Sequence, residues 1–204
     1  MTRRLVIATT NPGKVREVAA YLAAIPDLEI LSLRDLPPIP EVPEEGTTFR
    51  ENAVKKAVEY SRLLRTTVVA DDSGICVEAL GGSPGVGSAR YGGPGLDDPG
   101  RVRFLLDRIA GVPDERRGAA FECVLALASR GALVATFEGR VEGRLLREPR
   151  GENGFGYDPI FFHPPSGCAF AELTRDQKAA ISHRGQALAR LRDHLAAHPE
   201  SLAP

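Results

Sequence analysis

The sequence has no excess of either charge, and this absence excludes proteins that bind their partners through a global electrostatic field. Its 204 residues include 26 Lys and Arg against 27 Asp and Glu, which gives a formal net charge of −1 at pH 7. Proteins that bind a nucleic-acid backbone carry a basic patch or stripe, and no such patch is visible here. We therefore expect a small-molecule ligand rather than DNA or RNA.

Long apolar runs and paired cysteines are also missing. No segment approaches the roughly 20 apolar residues of a membrane-spanning helix, and the start, MTRRLVIATTNPGK, lacks the apolar core of a signal peptide. Cys76, Cys123 and Cys168 lack metal-like pairing and lie beside apolar residues, which favours buried thiols. These features fit a cytoplasmic, reducing compartment, and the 43% apolar content fits one domain or two small lobes.

The first third of the chain predicts alternating strands and helices. The predicted elements are a strand at 4–9, a helix from Asn11-Pro12 to about 25, a strand at 28–33, a helix at 48–64 and a strand at 66–70. A proline-rich surface connector lies at 37–43. The last strand places Asp71 and Asp72 at its carboxyl end, where ligands bind in open α/β sheets. We expect a site there.

The remainder predicts a hairpin between helices. The predicted elements are a short strand at 75–80, a helix at 99–110, strands at 119–128 and 133–146 joined by a turn at 129–131, and helices at 174–181 and 183–197. A glycine-rich loop at 81–95 is long enough to suggest a function.

The first motif that carries chemistry is TTNPGK, between the first strand and helix. Backbone N–H groups at a helix N-terminus together with Lys14 suit a phosphate group. The Walker A pattern is absent, and a capped helix with a surface lysine is the alternative reading.

The second motif is the acidic pair Asp71-Asp72 followed by Ser73-Gly74. Adjacent strand residues point to opposite faces, so one aspartate is expected to face the ligand directly. Mg²⁺ between carboxylate and phosphates would compensate the charge. Alternatively, one aspartate is a turn residue and the other a helix cap or surface group.

Two further motifs contain aromatic and cationic groups. In GFGYDP, glycines around Phe155 and Tyr157 allow close backbone approach and an aromatic face for stacking; the alternative is a core aromatic pair in a tight turn. Lys178 with His183 and Arg184 gathers donors around a helix break, although such a cluster alone is usually a solvated helix face.

Together these segments resemble the inosine/xanthosine triphosphate pyrophosphatase family, which removes non-standard purine nucleotides from the nucleotide pool. The matching segments, in the family's order, are TTNPGK, GTTFRENAVKKA, ADDSG, LGGSPGVGSARYGG, GFGYDPIFF and ELTRDQKAAISHRGQAL. The resemblance implies a single two-lobed α/β domain over residues 1–204, with an elongated mixed central sheet flanked by helices and an active-site cleft between the lobes. It also implies a homodimer and Mg²⁺-dependent cleavage to a nucleoside monophosphate and pyrophosphate.

The resemblance further implies a role for each matching position. Asp72 corresponds to the general base that activates water, and Glu44 and Asp72 to the metal-associated acids. Phe155 is expected to stack on the purine. The implied substrate contacts are Thr9, Thr10, Asn11, Pro12, Gly13, Lys14 and Lys56 for the triphosphate, Ser73 beside the base, Phe155, Gly156, Tyr157 and Asp158 for the nucleoside, and Lys178, His183 and Arg184 for the purine edge.

Two positions depart from the family pattern. Asn153 stands where glycine is usual, although Asn tolerates left-handed backbone. The acidic turn offers both Glu44 and Glu45, so either could take the metal side.

Three other classes fit less well. A pyrimidine-directed house-cleaning pyrophosphatase would lack GFGYDP and SHRGQ, and a haloacid-type phosphatase would have a DxD motif where TTNPGK stands. A nucleotide-binding regulator would not need the acidic pair.

Overall fold

The computed structural model describes residues 3–202 and contains seven strands and five α-helices in that range. The strands are β1 (Arg3–Ile7), β2 (Leu28–Ser32), β3 (Thr67–Val77), β4 (Gly118–Ser129), β5 (Ala132–Leu145), β6 (Phe161–His163) and β7 (Cys168–Ala169). The helices are α1 (Pro12–Leu22), α2 (Phe49–Leu64), α3 (Asp98–Arg108), α4 (Arg175–Ile181) and α5 (His183–Ala197). The expected α/β class is confirmed.

The seven strands form one mixed sheet in the order β2-β1-β3-β4-β5-β6-β7. Strand β1 pairs in parallel with β2 and β3, whereas β6 pairs antiparallel with β5 and β7. The turn between β4 and β5 has positive φ at both Arg130 and Gly131, as a tight hairpin turn requires. The predicted mixed sheet and hairpin are therefore confirmed.

Local capping determines where the helices begin. The Asn11 side chain accepts hydrogen bonds from the Gly13 and Lys14 backbone N–H groups, so α1 begins at Pro12. Thr48 and Glu51 form the predicted capping box before α2. Helix α1 ends at Leu22 rather than near residue 25, because the chain must become extended before Pro26.

Strand β3 is longer than the sequence predicts. The expected strand ended at Ala70, but β3 continues through both aspartates to Val77, and a 3₁₀ turn follows at Glu78–Leu80. Asp71 and Asp72 are both buried inside the strand. The interpretation of this pair as a turn residue and a surface or capping group is therefore wrong.

The chain divides into two compact units, each with its own apolar core. The first unit comprises the residues up to Asp72, Cys123–Gly139 and the chain from Arg184 onward. Its core contains Leu5, Val69, Leu125 and Leu188, among others. The second unit comprises Ser73–Glu122 and Arg140–His183. Its core combines aliphatic residues of β3 and α3 with three phenylalanines, Phe121, Phe161 and Phe170.

The second unit also contains a fully buried arginine. The Arg117 guanidinium donates hydrogen bonds to the carbonyl oxygens of Ile109, Leu145 and Leu146 at 2.8–2.9 Å. Burial lowers the pKa of this group. Arg117 thus connects the end of α3 to the end of β5 through backbone acceptors.

The cysteines are free thiols, but only Cys123 is fully buried. Cys76 and Cys168 are partly exposed, so the expectation of three buried thiols is wrong for these two. Within the part of the chain that the structure describes, no helix is both long and apolar enough to cross a bilayer.

Candidate active site

The loop before α1 presents one lysine to the acidic strand. Lys14 donates a hydrogen bond to Asp71 Oδ1, and its side chain is 17% exposed. The Thr9 hydroxyl accepts from the Asn11 N–H at 3.1 Å, which orders the turn ahead of the cap. Helix α1 is capped by Asn11, as the alternative interpretation of a capped helix with a surface lysine expects. Lys14, however, is ion-paired and mostly buried, so it is not a surface lysine.

Asp71 is the centre of a buried network in the first unit. Its Oδ2 accepts from Arg184 Nε at 2.8 Å and from the Cys123 thiol at 3.3 Å. A second guanidinium nitrogen of Arg184, Nη1, donates to Glu17 Oε2 at 2.7 Å. Burial alone would raise the pKa of Asp71, but the Arg184 and Lys14 cations outweigh it and hold this pKa well below its ordinary value.

Asp72 has a separate set of partners. Asn52 Nδ2 donates to Asp72 Oδ2 at 3.0 Å, and Lys56 Nζ lies 3.7 Å from Asp72 Oδ1. Lys56 also donates to Glu44 Oε1 at 2.5 Å and to the Asp71 carbonyl oxygen at 2.8 Å. One ammonium group thus lies beside two carboxylates, those of Glu44 and Asp72.

The charges of this cluster displace the pKa values of its members. Burial raises the pKa of Asp72, and the Glu44 carboxylate raises it further, against the opposing effect of Lys56. Burial by itself would lower the pKa of Lys56, but Asp72 and Glu44 reverse this and raise it. The two adjacent aspartates therefore have pKa values displaced in opposite directions.

The two glutamates of the acidic turn are also separated by the structure. Glu44 contacts Lys56 inside the cluster, whereas Glu45 pairs with Lys55 at 2.8 Å and its side chain is 75% exposed. The Lys55 hydrogen bond lowers the pKa of Glu45. Of the two glutamates, Glu44 is therefore the one that shares the Lys56 ammonium with Asp72.

In the second unit, Asp158 organises the GFGYD loop, defined as residues 154–158. Asp158 Oδ2 accepts from the Phe155 backbone N–H at 2.9 Å and from Lys178 Nζ at 2.5 Å. The Lys178 ammonium lies 4.7 Å from the centre of the Phe155 ring, a cation–π contact. Gly154 has φ +77°, and a side chain there would collide with the Asp158 carboxylate.

The two aromatic residues of the GFGYD loop have different environments. Phe155 is half-buried, whereas Tyr157 is buried and its hydroxyl donates to the Ser88 carbonyl oxygen at 2.9 Å. Burial raises the pKa of Tyr157 to about 12. Phe155 is thus the more exposed of the two, and Tyr157 anchors the loop.

The cationic cluster near the break between α4 and α5 is buried. Lys178, His183 and Arg184 are 6%, 4% and 3% exposed, so the interpretation as a solvated helix face is wrong. The His183 ring stacks on Phe121 with centroids 4.8 Å apart. Two guanidinium nitrogens of Arg184 are engaged by carboxylates of the first unit. Ser73 lies half-buried on β3 beside Asp72.

Sequence reasoning missed four residues that support these clusters. Glu17 binds Arg184, Asn52 binds Asp72, Ser88 accepts from Tyr157, and Asp98 Oδ2 accepts from the Gly156 backbone N–H at 2.8 Å. Asn52 and Glu17 lie three to four residues from predicted site lysines on helices, which is a usable signal. Asp98 and Ser88 are distant in sequence from their partners, so no local sequence pattern points to them.

The side chains of this cluster can be compared with those that usually bind a divalent cation. Among residues 3–202 no group of three or more His, Cys, Asp or Glu side chains is arranged to hold a metal. Glu44 and Asp72, however, both lie beside the Lys56 ammonium, Glu44 Oε1 at 2.5 Å and Asp72 Oδ1 at 3.7 Å, and Asp72 is buried. Mg²⁺ is commonly bound by one or two carboxylates together with substrate phosphates, so this pair fits such an ion when a nucleotide is present.

Comparison with known proteins identifies the family. Residues 5–194 match the Ham1 family. A dITP/XTP pyrophosphatase of Geobacter sulfurreducens is 50% identical over 192 residues, covering 94% of this chain and 96% of the relative. A second dITP/XTP pyrophosphatase, of Geobacillus kaustophilus, is 50% identical over 189 residues, covering 93% and 92%.

Solved structures agree with this match. A HAM1 protein from Coxiella burnetii superposes with a TM-score of 0.85 at 38% identity, covering 96% of this chain and 99% of that one. The nucleoside-triphosphatase/dITP/XTP pyrophosphatase of Mycobacterium abscessus gives a TM-score of 0.75 at 44% identity, covering 92% and 98%. With the fold, the acidic strand and the family match in agreement, the chain belongs to the Ham1 family.

Proposed function

We propose that this chain hydrolyses non-standard purine nucleoside triphosphates, namely ITP, dITP and XTP, to the nucleoside monophosphate and pyrophosphate, and so cleanses the nucleotide pool. The observation that carries the proposal is the buried Asp72 carboxylate, with a raised pKa, beside Lys56 and Glu44. The family relatives named dITP/XTP pyrophosphatase support the substrate class.

Asp72 is the proposed general base. Asn52 holds Oδ2, so Oδ1 is the oxygen that takes a proton from the attacking water. A carboxylate with a raised pKa accepts a proton more readily near neutral pH than an ordinary aspartate does, and positioned general bases typically contribute about 10²–10⁴-fold in rate. The water attacks the α-phosphorus and pyrophosphate leaves.

The phosphates are bound by the two lysines of the first unit. Lys14 and Lys56 each have three ammonium donors, and each is oriented by a carboxylate, Asp71 for Lys14 and Glu44 for Lys56. Thr9, Thr10, Asn11, Pro12 and Gly13 lie at the start of α1, where the positive end of the helix dipole favours anionic oxygens, and the threonine hydroxyls add donors. Ser73, next to the general base, is a further substrate contact.

Mg²⁺ is the proposed cofactor, with Glu44 and Asp72 as its protein ligands. When bound it would neutralise charge that develops on the phosphate oxygens.

Base recognition is assigned to the GFGYD loop and the cationic cluster. The purine stacks on Phe155, and Lys178, held by Asp158, donates to its 6-oxo group. Hypoxanthine and xanthine present an O6 acceptor beside an N1–H donor, whereas adenine reverses both. ATP would therefore leave buried donors unpaired, which is a strong source of discrimination. His183, Arg184, Gly156, Tyr157 and Asp158 complete the proposed set.

A product assay tests this function directly. With Mg²⁺ and ITP, XTP, GTP, ATP or dTTP, we expect pyrophosphate from ITP and XTP and little from the others. Guanine shares the O6 and N1–H edge, so the rejection of GTP depends on its 2-amino group. Release of orthophosphate, or equal turnover of all five nucleotides, would contradict the proposal. Asp72→Asn distinguishes an enzyme from a nucleotide-binding regulator, because wild-type turnover in that variant would remove the general-base role.

We further infer a homodimer, as in the family pattern, and a cytoplasmic location. The three free thiols fit a reducing compartment. Sedimentation that finds a monomer at micromolar concentration would refute the dimer.

A further inference from the structure

The middle of the GFGYD loop is held by a residue from outside it. Asp158 binds the Phe155 N–H, and Tyr157 reaches the Ser88 carbonyl, so the end of the loop is anchored by its own side chains. The next amide, that of Gly156, donates instead to Asp98 Oδ2 at 2.8 Å, across 58 positions of sequence. The Phe155–Gly156 peptide is therefore oriented by α3.

Asp98 is itself well placed to act as a fixed acceptor. It is the first residue of α3, and the preceding Asp97 caps this helix by accepting from the Gly100 N–H at 2.8 Å. Arg101 Nη1 donates to Asp98 Oδ1 at 3.3 Å, which leaves Oδ2 for Gly156. Val102, one turn on, is part of the apolar core and ties α3 to the second unit.

Side-chain packing does little to hold the loop on this side. An open cavity of about 500 Å³ is lined by Val102 and Leu106 of α3 and by Gly154 and Gly156 of the loop. A side chain added at Gly156 would meet no atom within 4 Å. The loop thus has room to change its position beside α3, and the hydrogen bond to Asp98 restrains it.

We propose that Asp98 is a positioning residue for base recognition: it fixes the Phe155–Gly156 peptide, and through it the ring on which the purine stacks. The statement that a purine binds the Phe155 ring rests on the proposed function, whereas the role of Asp98 in holding the loop does not depend on it. Asp98 makes no contact with the nucleotide in this scheme. Without its acceptor the loop samples more conformations, and binding must then order them.

The kinetic test compares three variants with ITP as substrate. Asp98→Ala should raise KM about 5- to 10-fold and change kcat less than about twofold, since one hydrogen bond to a charged group is lost. Asp98→Asn keeps an oxygen acceptor and should restore KM to within about twofold of wild type. Asp97→Ala is the matched control, because it removes the cap of α3 and leaves the Gly156 acceptor in place.

These kinetic outcomes decide the proposal in either direction. An unchanged KM in Asp98→Ala would overturn it. An equal rise of KM in Asp97→Ala and Asp98→Ala, at equal loss of Tm, would also overturn it, because the effect would then come from a weakened helix.

A second test needs no activity. The chain has no tryptophan, so Phe155→Trp places a single tryptophan in the loop, which can be excited selectively over the tyrosines. Acrylamide should quench this tryptophan more strongly in Phe155→Trp/Asp98→Ala than in Phe155→Trp alone, and Asp98→Asn should reverse the increase. Equal quenching in all three proteins would show that Asp98 does not fix the loop. If wild type releases no pyrophosphate from ITP, the proposed function fails, and quenching still decides the role of Asp98.

Discussion

Asp71 and Asp72 are adjacent in β3, and their carboxylates bind different partners. Asp71 binds Lys14 and Arg184, and Asp72 binds Asn52 beside Lys56. The alternation of side chains along a strand produces this separation. The cations around Asp71 outweigh the effect of burial on its pKa, whereas Lys56 does not do so for Asp72. The same residue type therefore serves as a structural anion at one position and as a candidate base at the next.

For Asp71→Asn we expect a large loss of stability, because the buried Arg184 cation loses a carboxylate partner. Removing one partner of a buried ion pair typically costs about 3–5 kcal/mol. The folded pKa of Asp71 lies below its unfolded value, so its contribution is present above about pH 4 and is lost as pH falls further. Chemical denaturation at pH 7 and at pH 3.5 measures this: the difference between variant and wild type should shrink at the lower pH. A pH-independent difference would contradict it.

Asp72→Asn should behave in the opposite way for stability. Because burial raises the pKa of Asp72, its ionised form is disfavoured in the folded protein, and the variant should unfold at the same Tm as wild type or a higher one at pH 7. Its kcat on ITP, measured at saturating Mg²⁺, should fall about 10²–10⁴-fold. A variant that loses both Tm and turnover would indicate a structural role instead.

How much of this could be predicted from sequence depends on the distance between partners. The caps at Asn11 and Thr48 act within three residues, and the alternating strands and helices follow from local patterns, so the sequence predicts both. The burial of Arg184 depends on Glu17, 167 positions away, and the anchoring of Tyr157 depends on Ser88, 69 positions away. Such contacts are made by the tertiary fold, and no local pattern records them.

The two glutamates of the acidic turn provide a matched pair of variants. Glu44→Gln removes a carboxylate from the Lys56 cluster, whereas Glu45→Gln removes an exposed partner of Lys55. We expect Glu44→Gln to raise the Mg²⁺ concentration for half-maximal activity by about 10-fold or more, and Glu45→Gln to leave it unchanged. Titration of activity with Mg²⁺ measures both, and an equal shift in the two variants would argue against Glu44 as a ligand.

Lys178→Met tests the assignment of base selection. The variant removes a charged donor next to Phe155 while retaining an apolar stem of similar length. Discrimination between ITP and ATP, measured as the ratio of kcat/KM values, should fall about 10- to 100-fold, the equivalent of one charged hydrogen bond. Lys55→Met, at a half-buried lysine of α2 that pairs with the exposed Glu45, is the control and should keep the wild-type ratio. If Lys178→Met lowers both substrates equally, Lys178 does not read the base.

Arg117→Lys tests the buried arginine. Lysine cannot span three carbonyl oxygens as the guanidinium fork does, so acceptors are left unsatisfied. We expect a loss of about 2–4 kcal/mol in the free energy of unfolding, with kcat on ITP unchanged at temperatures where the variant is folded. Arg116→Lys, at a neighbouring exposed position, should show no such loss.

The first unit is assembled from three separate stretches of chain, and this has a consequence for folding during synthesis. Its core joins Leu5 and Val69 to Leu125 and to Leu188, and the buried Asp71 receives Arg184 from the same late stretch. When the first 72 residues leave the ribosome, the later strands and helices of this core have not been made, and Asp71 has not yet received Arg184. The nascent protein therefore exposes the apolar residues of this core until α5 is made, so it is open to chaperones or to aggregation for most of its translation.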